Sequence, residues 1–113
     1  MVAKHPHAWR ADFIGSANAE DVWNDNSDIL VRFEDGREYV ATFFTVENLR
    51  QLMQKFRESG ENSRGLYVWS THMIVVERLT PEDVERVVED LLENGEFEAA
   101  FSISPEPGEG GKG

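Results

Sequence analysis

The chain has 113 residues, no cysteine and a formal net charge of −11 at pH 7. This length is typical of one domain with a single core, and the absence of cysteine excludes a disulfide framework. The negative charge opposes nonspecific binding to nucleic acid and to anionic lipid, because both require cationic side chains on the protein. Any charged partner is therefore expected to be cationic.

The N-terminal residues lack the pattern of a targeting segment. Residues 1–7 contain a lysine, a proline and two histidines, but no apolar stretch of the kind found in a signal peptide. No run approaches the ~18 apolar residues of a membrane span. We therefore expect a disordered tail at 1–7, no membrane contact and a cytoplasmic protein. Residues 8–28 fit neither the helix nor the strand period cleanly.

A calcium-like spacing occurs before the first clear strand. Asn24, Asn26 and Asp28 stand at relative positions one, three and five of such a loop. However, Ile29 occupies the position that needs glycine, and the twelfth position is Asp35 rather than glutamate. We therefore predict a plain polar loop without a metal.

Residues 29–33 and 38–44 predict a β-hairpin, because they are rich in β-branched and aromatic residues. A three-residue loop would place Gly36 in the left-handed region and pair Phe33 with Arg37. A two-residue loop would bring Glu38 onto the apolar face, so we predict the bulged form. The register then pairs Val31 with Tyr39 and Ile29 with Ala41. One face carries Ile29, Val31, Phe33, Tyr39, Ala41 and Phe43.

Two helices are predicted, at 45–61 and 80–96, and they match each other without a gap at an offset of 35 residues. Each begins at a threonine, Thr45 or Thr80, and ends at a Gly-Glu pair. Each also has an apolar stripe at helical spacing. The second has the stronger start, because Pro81 fills its first position and acidic residues follow.

The same offset also covers a second predicted hairpin, formed by Leu66–Trp69, a turn at Ser70–Thr71 and a return through His72–Arg78. The fold expected is therefore α+β, with an internally duplicated β-β-α-β-β-α order. It would form a four-stranded antiparallel sheet with two helices packed on one face. The domain is expected to span 8–103, with repeats at 29–61 and 64–96, followed by a flexible tail at 104–113.

This arrangement would leave a second, open sheet face that is too apolar to stay uncovered. Three occupants are considered: the N-terminal apolar residues or Phe97 and Phe101, a second copy of the chain in a homodimer, or a ligand or peptide. The binding residues predicted on this face are Arg32, Phe44, Tyr67, Trp69 and Met73.

The acidic bias of the chain is concentrated in the second helix. Between Glu82 and Glu98 there are eight carboxylates and only one basic residue, Arg86. Such a helix side either keeps the protein soluble or steers it toward a basic partner. The partner-binding residues predicted here are Glu82, Glu85, Glu89, Asp90 and Glu93.

No motif in the chain predicts catalysis or a cofactor. His72 lies beside Ser70 and Thr71, but residues this close on a strand rarely face one another and no orienting acid is evident. An enzyme using Ser70 and His72 is the least favoured hypothesis. No Gly-rich phosphate loop or metal-binding motif is present, so neither a cofactor nor a metal is predicted.

The sequence thus favours a small acidic, non-enzymatic protein-interaction module that binds a basic partner. In general character it resembles the small acidic inhibitor and immunity proteins that neutralise basic toxins or nucleases, a likeness of class without a shared motif. The alternative is a small-ligand-binding or regulatory domain with its pocket on the open sheet face.

Overall fold

The computed structural model describes residues 8–15 and 20–104, which form an α+β fold. Within these ranges there are five strands and four helices. The strands are β1 (Trp9–Ile14), β2 (Asn26–Phe33), β3 (Glu38–Thr45), β4 (Met73–Val76) and β5 (Ser102–Ile103). The helices are α1 (Val46–Ser59), α2 (Glu61–Gly65), α3 (Pro81–Asn94) and α4 (Phe97–Ala100).

The sheet is built around β3. Strands β1, β2 and β3 form an antiparallel meander. On the other edge of β3, β4 runs parallel to its C-terminal half, and β5 runs antiparallel to its N-terminal half. Because β3 and β4 are parallel, the chain must cross over between them, and α1 lies in that crossover. The sheet is therefore mixed.

The predicted register of the β2–β3 hairpin is confirmed. Val31 pairs with Tyr39 and Ile29 with Ala41. At the loop, the Phe33 N–H donates to the Arg37 carbonyl at 2.9 Å. Gly36 has a φ of +97°, a conformation that glycine adopts without the strain of a Cβ atom. The three-residue loop thus keeps Glu38 away from the core.

One face of the sheet forms the hydrophobic core together with α3 and α4. The predicted apolar face of the hairpin is confirmed, since all six of its residues are buried. The core consists of Ile29, Val31, Phe33, Tyr39, Ala41, Phe43, Leu79, Val84, Val88, Phe97 and Phe101. Phe97 from α4 packs edge-on against Tyr39 at 5.0 Å and stacks on Phe101 at 4.5 Å between ring centroids.

Helix α1 does not join this core, so the prediction that both main helices pack on one face is not confirmed. Its first residue, Val46, is exposed, its other apolar residues are only partly buried, and none belongs to the core cluster. In its first turn, Asn48 accepts a 2.9 Å hydrogen bond from Asn26, whose side chain lies on the opposite face of the sheet from Ile29. The parallel crossover therefore places α1 toward the second face.

The duplicated order and the four-strand count are not confirmed. Leu66–Trp69 forms no strand, and β4 pairs in parallel with β3 rather than antiparallel to a preceding strand. After α1 the chain forms a left-handed turn within α2, where Asn62, Ser63 and Arg64 all have positive φ. That turn returns the chain against α1 instead of starting a hairpin.

Gly65 closes this turn where its backbone lies close against α1. Its φ is +81°, and a Cβ atom at this position would lie 2.2 Å from the Met53 carbonyl oxygen. Only glycine therefore fits here without a shift of the backbone. Met53 and Gly65 hold the connection to β4 against the helix.

The residues expected to cover the second face lie elsewhere. Trp9 and Phe13 belong to β1, which extends the sheet at its edge, and they pack against the core. Phe97 and Phe101 are buried in that same core. On the second face itself Leu30 and Phe44 are buried, so this face is not bare.

Three predicted segments fall partly or wholly outside the described residues. These are the N-terminal tail at 1–7, residues 16–19 within the unassigned stretch at 8–28, and residues 105–113 of the C-terminal tail. Ser104 is described, and its N–H donates to the Glu38 carbonyl at 2.8 Å. No helix in the described ranges is long and apolar enough to cross a membrane.

Candidate protein-interaction surface

Helix α3 is fixed in the fold by its caps and its apolar stripe. The Thr80 hydroxyl accepts a 3.1 Å hydrogen bond from the Asp83 N–H, and Pro81 occupies the first turn. Gly95 ends the helix in the left-handed conformation, with φ of 75°. Val84 and Val88 are fully buried, so the opposite side of the helix must face solvent.

That outer side carries four exposed glutamates, which we call the acidic stripe: Glu82, Glu85, Glu89 and Glu93. Within residues 8–15 and 20–104, none of their carboxylates lies within 4.0 Å of a cationic nitrogen. Like charges three and four residues apart on a helix repel one another. The acidic stripe is therefore a surface whose charge the described chain leaves uncompensated.

Asp90, the fifth predicted residue of this group, is also exposed but lies on the flank of α3 beside β4. Asp83 is on the same flank and is neutralised by Arg78, whose Nε and NH2 nitrogens lie 3.0 and 3.3 Å from its two carboxylate oxygens. Arg78 also lies 5.8 Å from the centre of the Trp23 ring. The helix thus presents two differently charged sides.

A groove of about 390 Å³ runs between β4 and α3. Three valines contribute apolar surface and five charged side chains line the rest. Its lining consists of Val75, Val76, Glu77, Arg78, Asp83, Arg86, Val87 and Asp90. Because Arg78 and Asp83 compensate one another, Glu77, Asp90 and Arg86 set its remaining charge.

The residues predicted on the open sheet face do not form one surface. Arg32 lies at the hairpin end of β2, where its guanidinium is 3.2 Å from Glu38 and 3.6 Å from Asp12. Phe44 is buried at the far end of β3, roughly 20 Å away at the rise of a strand. Arg32 and Phe44 therefore lie at opposite ends of the sheet and cannot belong to one binding surface.

The other three members lie around β4. Tyr67 and Trp69 are in the connection after α2 and are 44% and 69% exposed. Met73 begins β4 and is half-buried. The aromatic pair is therefore accessible, but on an irregular segment rather than on a strand of the sheet.

A small hollow of about 210 Å³ beside the hairpin loop was not predicted from the sequence. Its polar side is Arg37, which lies over the Phe33 ring at 5.0 Å and beside the Tyr39 ring at 5.9 Å. A side-chain hydrogen bond to Asp35 at 2.9 Å raises the pKa of Arg37 further above its ordinary value. The bulged loop, which places Arg37 opposite Phe33, is the sequence signal that marks this site.

The calcium-like residues are used in hydrogen bonds to the chain itself. Asn48 of α1 donates to Asn24 at 3.0 Å and accepts from Asn26 at 2.9 Å. Asp28 accepts from the Thr42 hydroxyl at 2.7 Å. In the part of the chain that the structure describes, no three histidine, aspartate or glutamate side chains are grouped closely enough to hold a metal ion.

His72 lies in the turn before β4, at a positive φ of 50°. Its carbonyl accepts from the Thr42 N–H at 3.0 Å and so starts the pairing of β4 with β3. Its Nδ1 atom is buried and makes no hydrogen bond to the described residues. The visible contacts of His72 are therefore those of a residue that positions a strand.

No protein-family model, no curated protein and no solved structure matches this chain.

Proposed function

We propose that this protein is a non-enzymatic interaction module that binds a protein with a basic surface through the acidic stripe. The observation that supports this most directly is that Glu82, Glu85, Glu89 and Glu93 are all exposed on one side of a capped helix without a cation from the described residues. With a chain charge of −11, this surface attracts basic proteins and repels nucleic acid and anionic lipid.

The rigidity of α3 supports the same proposal. The helix is capped at both ends and is held to the core by Val84 and Val88, so its carboxylates keep fixed relative positions. A preorganised charged surface loses less entropy on binding than a flexible acidic tail. A small acidic inhibitor of a basic protein would have these properties.

The proposal is tested with two variants of equal charge. Glu85, Glu89 and Glu93 are replaced together by glutamine in one, and Glu47, Glu58 and Glu61 in the other. Each change removes three negative charges, but only the first removes them from the acidic stripe. The immobilised protein is used to capture basic proteins from a cell extract, and the dissociation constant of each purified partner is then measured at several NaCl concentrations.

The variant with Glu85, Glu89 and Glu93 replaced is called the stripe variant. We expect it to bind the partner at least tenfold more weakly, and we expect its dissociation constant to depend less on the salt concentration. The control variant, which carries the changes at Glu47, Glu58 and Glu61, should bind nearly as the unchanged protein does. An equal loss of affinity in both variants would mean that net charge alone attracts the partner. Unchanged affinity in both variants would contradict an electrostatic site. The proposal would then be abandoned.

A small-ligand-binding or regulatory domain remains the second hypothesis, but the positions of its predicted residues do not favour it. Phe44 is buried, and Tyr67 and Trp69 lie outside the sheet. The hollow beside Arg37, at about 210 Å³, is smaller than the roughly 300 Å³ at which ligand pockets begin, and the larger groove beside β4, at about 390 Å³, is lined mostly by charged side chains rather than apolar ones. A thermal-shift screen that finds a metabolite raising the melting temperature by several degrees would reverse this preference.

A further inference from the structure

The outer edge of β4 has backbone groups without partners in the described chain. The Thr42 N–H donates to the His72 carbonyl, so the backbone groups of His72, Ile74 and Val76 face β3. Alternate residues of a strand direct these groups to opposite edges, which places the N–H and C=O of Met73 and Val75 on the outer edge. Among the described strands β4 pairs with β3 alone, so no described strand pairs with this outer edge.

This edge also has few of the features that prevent pairing with another chain. Strand β4 (Met73–Val76) contains no proline and no charged residue, and Val75 is 49% exposed. Native proteins usually protect such an edge with a charged residue, a proline or a covering segment. The short length of β4 is the protection visible in residues 8–15 and 20–104.

Charge decides between the partners that this edge would accept. A second copy related by a two-fold axis would bring its own α3 to the same side of the sheet, because α3 borders the groove beside β4. Each α3 carries six carboxylates and one arginine, so the two helices would repel. A basic segment would instead meet a groove in which the carboxylates of Glu77 and Asp90 outnumber the guanidinium of Arg86, and the acidic stripe beyond it.

We infer that β4 accepts an extended basic segment of the partner protein as an added strand. The segment would alternate lysine or arginine with aliphatic residues. It would pair its backbone with Met73 and Val75 while one set of its side chains enters the groove between β4 and α3. This inference rests on the proposed function and specifies how the basic partner is held.

The inference is tested with Val75→Pro. Proline removes the outward N–H of residue 75 and leaves the bonds between β4 and β3 in place, which is why proline is tolerated on edge strands. Val75→Thr retains the N–H and the branched shape, and serves as the matched control. Far-UV circular dichroism and the urea midpoint establish that both variants are folded.

The probe is a synthetic peptide with three Lys-Val repeats, fluorescently labelled and measured by polarisation. Two further peptides separate charge from backbone pairing: one has glutamate in place of lysine, and one carries N-methyl groups on alternate amides while keeping the lysines. Added-strand binding requires both the positive charge and the free amides of the peptide.

We expect Val75→Pro and N-methylation each to weaken binding at least tenfold, Val75→Thr to change it less than threefold, and the glutamate peptide not to bind. Unchanged binding to Val75→Pro would overturn the inference, as would failure of the lysine peptide to bind. If the stripe variant still lost affinity for its partner in that case, the proposed function would stand and only the strand pairing would fall. A concentration-dependent dimer that Val75→Pro abolishes would show that a second copy occupies the edge, and would also overturn it.

Discussion

Thr45 and Asp25 are joined by two hydrogen bonds, which connect the start of β2 to the junction of β3 and α1. The Thr45 N–H donates to the Asp25 carbonyl at 3.0 Å, and the Asp25 N–H donates to the Thr45 hydroxyl at 3.2 Å. The same hydroxyl accepts from the Asn48 N–H at 3.1 Å and so caps α1. Both Thr45 and Asp25 are buried.

Because the Thr45 hydroxyl accepts two hydrogen bonds, we predict that the caps of α1 and α3 contribute differently to stability. Thr45→Ala leaves both the Asp25 and Asn48 N–H groups without their acceptor, and should lower the free energy of unfolding by about 2 kcal/mol. Thr80→Ala removes the acceptor of the Asp83 N–H alone and should cost about 1 kcal/mol. Urea denaturation of both variants measures the difference, and equal costs would contradict the role of Asp25.

The close approach of Gly65 to α1 predicts a large effect of a single methyl group. Gly65→Ala combines the strain of a positive φ, about 1 kcal/mol, with overpacking against the Met53 carbonyl, about 1–3 kcal/mol more. Gly36→Ala is the control, because Gly36 has a similar φ but no atom within 4 Å of its added Cβ. If thermal and urea unfolding gave the two variants the same stability, the packing of the left-handed turn on α1 would be in doubt.

Phe97 should be among the residues most important for stability, although α4 has only four residues. It is 3% exposed and contacts the rings of Phe33, Tyr39 and Phe101. We expect Phe97→Ala to cost about 3–5 kcal/mol, by loss of buried area and creation of a cavity. Ile103→Ala, at a side chain that is 73% exposed, should cost no more than about 0.5 kcal/mol. A small effect at Phe97 would mean that α4 does not close the core.

Position along α3 should decide what each glutamate contributes to stability. Glu82 lies in the first turn, where the helix dipole favours negative charge, and Glu93 lies in the last turn, where it does not. Glu93→Gln should therefore be more stable than Glu82→Gln by about 0.5 kcal/mol at low ionic strength. Since both variants have the same net charge, the comparison isolates position. The difference in stability should shrink in 1 M NaCl. A difference that salt does not change would exclude the helix dipole as its cause.

Local signals in the sequence predict the local structure well. The threonine caps, the glycine stops and the bulged hairpin loop each depend on residues within one turn of chain, and all three are confirmed at Thr45, Gly95 and Gly36. The outward position of the acidic stripe also follows from helical spacing alone. The facing of β4 is similarly local, since Ile74 and Val76 pack on the core while Val75 is exposed.

The direction of β4 could not be predicted in this way, because it depends on where α1 and the left-handed turn lead the chain. The 35-residue offset matches the helices, but Leu66–Trp69 has an apolar pattern that a connection can share with a strand. A missed signal is present in β1, where Trp9, Ala11 and Phe13 alternate with Arg10 and Asp12 as a half-buried strand should. The groove beside β4 forms only because β4 pairs in parallel with β3, so the sequence pattern could not predict it.

The pairing of β3 with β5 also has a consequence for folding. Ser102 and Val40, which are paired in the register of β5 and β3, are 62 residues apart in sequence, whereas the β1–β3 meander is formed by neighbours in the chain. Local pairing has the lower entropy cost and is expected to form first. During synthesis the meander therefore leaves the ribosome before α3 and α4 exist, with Ile29, Val31 and Phe43 uncovered. Until residues 81–101 arrive, the nascent chain exposes the apolar face that the finished protein buries most completely.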